Sequence, residues 1–152
     1  MTYDELLIEY DGIAKIEEIP LLYNLKGLYY KGKIIIDSNI DTNTEKCCIL
    51  SEELGHHFTT SGNIIDIREL NSVKQEIIAR NWAYEKLCPL SSIVQAYKEG
   101  VAGRYELAEY LDVTEEFLFE VVEHYKAKYG TCYEVDKYLV YFEPCLAVLK
   151  MF

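Results

Sequence analysis

The chain has 152 residues, enough for one domain with a sizeable core, and half of them are hydrophobic. Its formal net charge is −11, from 26 acidic against 15 basic side chains, so a phosphate backbone repels it and no direct nucleic-acid partner is expected. Five cysteines without a C-x-x-C pair exclude a cysteine-rich zinc knuckle, and no apolar run approaches the roughly 20 residues of a membrane-spanning helix.

The first residues, MTYDELLIEYDG, are acidic and lack the basic-then-apolar layout of a signal peptide. A cytoplasmic location with reduced thiols is therefore expected. Within this stretch, TYDELLIEY predicts a short helix with Thr2 as N-cap and Glu5 completing a capping box. The runs GLYY, KGK and IIID then predict a β-hairpin, because aromatic and β-branched residues flank a glycine-bearing turn. From Asp41 the periodicity becomes helical. Asp41 or Thr44 can cap a helix running to about Thr60, which Ser61-Gly62-Asn63 would end. A second long helix is expected from about Asn71 to Leu87, stopped by Pro89. Shorter helices follow near 90–99, 104–111 and 114–129, the last capped by Thr114, and CYEVDKYLVYF returns to strand or hairpin. The class is α+β, with a small N-terminal antiparallel sheet or hairpin packed on a helical core.

The stretch LSEELGHHFTTSG carries the chemistry. It differs from the zinc-protease signature H-E-x-x-H by one letter, Glu52 standing where the first histidine belongs. At 100° per residue from Leu50, Glu52, His56 and Glu53 fall near about 200°, 240° and 300°, on one flank beside the core stripe of Cys47, Leu50, Leu54 and Phe58. Glu52 and His56 are one turn apart, the spacing at which two side chains can grip one ion. Carboxylate oxygen is an acceptable zinc ligand, and a neighbouring free carboxylate, Glu53, can take a proton from water. His57 lies beside the core stripe and is expected behind the ligands. The next helix supplies a third donor: Glu76 shares a stripe with Val73, Ala83 and Leu87, so it should point inward and need either a metal or Arg80, one turn on, as its partner.

Taken together, CCILSEELGHHFTTSGNI, KQEIIARNWAYEKLCPL and YELAEYLDVTEEFLFEVVEHY resemble the ImmA/IrrE metallo-endopeptidase family, in its phage and mobile-element branch. The resemblance runs from about Asp37 to Tyr129. It implies a zincin-like region over residues 1–100 and a helix-turn-helix-like part over 101–152 packed on it as one compact unit. It also implies metal-dependent cleavage of a helix-turn-helix (Xre-type) repressor, relieving repression of a prophage or mobile element. Carried over by position, Glu53 is the general base and His56 and Glu76 are metal ligands, with Glu52 in the first-histidine place. That replacement makes the site harder and more negative, which admits manganese or another divalent ion beside zinc and weakens catalysis at neutral pH. A catalytically decayed member that binds the repressor without cutting it is the alternative. In the last third, Leu107, Leu111, Val113, Phe117, Leu118 and Val121 recur at helical spacing, yet TEEFLFEVVEH offers four glutamates and no lysine or arginine. A recognition helix needs cations facing phosphates, so this part is expected to contact protein and not DNA.

Overall fold

The computed structural model describes residues 1–59 and 69–152, the side chains of 69–72 excepted. It is mixed α+β, and the chain divides into two compact units, Met1–Ala83 and Tyr84–Phe152. The boundary expected after residue 100 lies inside the second unit.

The first unit begins with α1 (Tyr3–Glu9), whose capping box joins Thr2 and Glu5 as expected. Three strands follow, β1 (Lys15–Ile19), β2 (Gly27–Tyr30) and β3 (Lys33–Asp37). β2 and β3 form the expected hairpin: Tyr30 pairs with Lys33 across Lys31 and Gly32, whose φ values of 47° and 81° give the left-handed turn that matches strand twist. The sheet is not purely antiparallel, however. β1 joins β3 in parallel register, giving the order β1-β3-β2. Sequence alone missed β1 because KIEEI is short and carries charges on an edge strand, where one face meets water. Ile34 and Ile36 of central β3 are fully buried and form the floor on which α2 (Asn43–Thr59) packs. Glu18 of β1 ties the layers, accepting from Tyr3 of α1 at 2.8 Å and from Lys46 of α2 at 2.7 Å. α3 (Glu69–Leu87) starts two residues before its expected position and contributes buried Ala79 and Ala83. The helix stop expected at 61–63 lies outside the described residues.

The second unit holds the last residues of α3, then α4 (Leu90–Lys98), α5 (Gly103–Leu111), α6 (Glu115–Tyr129) and an antiparallel meander of β4 (Cys132–Val135), β5 (Tyr138–Tyr141) and β6 (Ala147–Lys150). Pro89 stands at the N-cap of α4. α5 ends on Asp112 in the left-handed conformation (φ 55°), and Thr114 caps α6 by accepting from the Phe117 N–H at 3.1 Å. The six apolar residues expected to line this turn are all buried. No helix among the described residues is long and apolar enough to cross a membrane.

Candidate metal centre

The site lies in the first unit, where α2 meets α3. Cys47, Leu50 and Leu54 bury the core stripe of α2, which leaves Glu52, Glu53 and His56 half-buried on its flank. Phe58 departs from the expected stripe. It is 45% exposed near the helix end and stacks on Trp82 with ring centroids 5.3 Å apart.

Gly55 sets the geometry. A Cβ at this position would lie 2.2 Å from the carbonyl oxygen of Ala79, so only glycine lets α3 approach α2 this closely. The crossing brings Glu76 of α3 to His56 of α2, with Oε2 to Nε2 at 3.0 Å. The other oxygen of Glu76 accepts from Arg80 Nε at 3.0 Å. Of the two partners considered for Glu76, a metal or Arg80, the structure shows Arg80 on one oxygen, while His56 takes the other. Glu76 itself is less buried than its stripe suggested, with 45% of its side chain exposed. The stripe sinks into the core only from Ala79 onward, while Val73 remains exposed.

Glu53 occupies a different setting. Its side chain lies against β2 at Gly27, where a Cβ would fall 2.6 Å from Glu53 Oε1. Burial in this slot, then the nearby charges of Glu52 and Glu76, push its carboxyl up to about 7. A carboxyl poised near neutrality can both accept and release a proton at working pH. His57 packs edge-on against Tyr29 and Phe58, and its buried Nδ1 has no hydrogen-bond partner.

The structure therefore brings His56 and Glu76 together, with Glu53 close enough for Glu76 to raise its pKa. Among the described residues, no three His, Cys, Asp or Glu side chains converge as a metal-holding group, so Glu52 does not complete a triad in this conformation. Gly27 and Gly55 are the site-shaping residues that sequence reasoning passed over. The signal was available, because a glycine inside a strand or a helix destabilises that element and marks a close approach.

No protein family, curated protein or solved structure matches this chain.

Proposed function

We propose that this chain is a metal-dependent endopeptidase with a zincin-like first unit, acting on a helix-turn-helix repressor of a prophage or mobile element. The observation that carries the reading is the meeting of His56 and Glu76, from two helices, beside a carboxyl raised to about 7. The resemblance in sequence order supplies the substrate class.

The donors fit a divalent cation. Glu52, Glu53 and His56 share one flank of α2, and Glu76 of α3 reaches His56. A cation held there would offset the charges of Glu52 and Glu76, which add to burial in raising Glu53. His56 and Glu76 would hold the ion, zinc or manganese, with Glu52 joining by a side-chain rotation from one turn earlier on α2. The bound ion would supply Lewis acidity toward the scissile carbonyl and toward water.

The remaining work falls to the chain itself. Glu53 accepts the proton that water loses on attack and returns it to the departing amine. Arg80 holds one oxygen of Glu76 and so fixes the direction of the other. Among the described residues β2 pairs only with β3, so its outer edge can receive an extended peptide alongside Glu53. Gly27 keeps that strand clear of the carboxyl. The first turn of α6 presents Glu115 and Glu116, which suits a protein-contacting role for the second unit and disfavours duplex DNA even at about 50 mM salt.

The second reading, a non-cleaving repressor-binding protein, is favoured by one observation: Arg80 already compensates the Glu76 charge. Metal analysis of the purified protein separates the two. The protease reading expects about one zinc or manganese per chain, tighter zinc in Glu52→His, and cleavage of a helix-turn-helix repressor. Glu53→Gln should retain metal and lose cleavage. Failure of both the native chain and Glu52→His to hold metal would overturn the protease reading.

A further inference from the structure

The second unit contains a half-open groove of about 770 Å3 that the proposed protease chemistry does not use. Its walls come from four elements, with Ile93 on α4, Leu107 on α5, Val122 on α6 and Val148 on β6. The volume falls in the range of about 300–1,000 Å3 typical of small-molecule sites. The wall is predominantly apolar, and its two charged residues are Arg104 and Glu123.

These two charges are not equivalent. Glu123 interacts with Lys126, one turn along α6, and helps to raise that ammonium's pKa. Arg104 is exposed at the start of α5, and among the described residues its guanidinium has no ion pair or hydrogen bond. An apolar trough with an uncommitted guanidinium is complementary to an apolar chain ending in one carboxylate. A peptide suits the lining side chains less well, since each buried amide would need a polar partner on the wall.

We propose that this groove binds a medium-chain fatty acid, with the acyl chain along the apolar floor and the carboxylate on Arg104. The proposal is independent of the metal centre and involves none of its residues.

Cys145 offers a local reporter, because it lines the groove and is exposed, whereas Cys132 is half-buried and does not line it. The experiment measures alkylation of both thiols by N-ethylmaleimide in the full chain, using peptide mass mapping, with decanoate below its micelle concentration. Decanoate should slow modification of Cys145 about fivefold or more and leave Cys132 unchanged. Decanol, with the same chain and no charge, should protect at least tenfold less effectively. Arg104→Gln, which alters only an exposed side chain, should raise the decanoate concentration for half-protection about tenfold. The proposal is overturned if decanoate gives no protection, if decanol matches it, or if Arg104→Gln protects at the native concentration.

Discussion

Among the described residues there are two histidine–carboxylate contacts of nearly equal length, His56 to Glu76 at 3.0 Å in the first unit and His124 to Glu85 at 2.9 Å in the second. Their surroundings differ. Glu85 also takes Lys128 at 2.5 Å, and although burial acts to raise its carboxyl, Lys128 and His124 outweigh that and hold it below the ordinary carboxylate value. Beside His56, Glu76 pairs with Arg80, and Glu53 is driven the opposite way, to about 7, by burial first and then by the charges of Glu52 and Glu76. One pair is charge-balanced and closes a structural tie between α3 and α6. In the other, Arg80 offsets Glu76, while burial and the two neighbouring glutamates leave Glu53 raised. A histidine beside a glutamate is therefore uninformative by itself, and the neighbouring charges decide what it can do.

The largest expected effect breaks the first region and spares the second. Alanine normally stabilises a helix interior over glycine by about 1 kcal/mol. At Gly55 the sign should invert, because the new Cβ meets a backbone carbonyl that cannot step aside. Gly55→Ala should lose about 3 kcal/mol in urea unfolding and lose metal binding with it. A variant as stable as the native chain would mean that α2 and α3 do not cross closely at Gly55.

Metal affinity sharpens the comparison further. If the proposed site holds the ion, His56→Ala and Glu76→Ala should each weaken zinc or manganese binding by at least about tenfold in calorimetric titration. His124→Ala should leave the affinity unchanged. Equal losses at His56 and His124 would place the ion elsewhere.

The two regions also differ in the sign of their pH dependence. In metal-free protein, Glu53 has a folded value near 7 against an ordinary 4.5, so the fold prefers its protonated form. That contribution is fully present below the ordinary value and is lost as pH rises through about 7. Glu53→Gln keeps the neutral shape at every pH. It should therefore exceed the native chain in stability by about 2 kcal/mol at pH 8, with the gap narrowing as pH falls and closing below the ordinary value of 4.5. A constant gap across that range would assign the effect to packing and not to ionisation.

Much of this was legible from local patterns, and what escaped was long-range. The caps at Thr2 and Thr114, the Lys31-Gly32 turn and the helical spacing of Leu107 to Val121 are each set by residues a few positions apart, and each formed as expected. Periodicity placed Glu52, Glu53 and His56 on one flank, and spacing named Arg80 as a partner of Glu76. Helical angle alone could not say that Glu76 would stay half-exposed, because its burial depends on where α3 crosses α2. The parallel pairing of β1 with β3 was similarly hidden, since nothing in KIEEI specifies a partner 18 residues away in register. Gly27 and Gly55 acquire meaning only once the chain has brought Glu53 and Ala79 to them.

The smallest effect, at Glu85, gives the counterpart to Glu53. Its carboxyl is held below the ordinary value in the fold, so its contribution is present above that value and is lost as pH falls through the folded one. Glu85→Gln keeps an acceptor oxygen but removes the negative charge that His124 and Lys128 meet, and should destabilise the chain at pH 7. The side chains of Glu85 and Lys128 are each 42% exposed, so solvent screens the pair and the loss should be only about 0.5–1 kcal/mol. Measured by urea midpoint, the penalty should shrink as acid protonates Glu85 in the native chain. Replacing a glutamate by glutamine thus stabilises at position 53 and destabilises at position 85. Stabilisation at both positions would mean that His124 and Lys128 do not compensate Glu85, and the contrast between the two histidine–carboxylate regions would then fail.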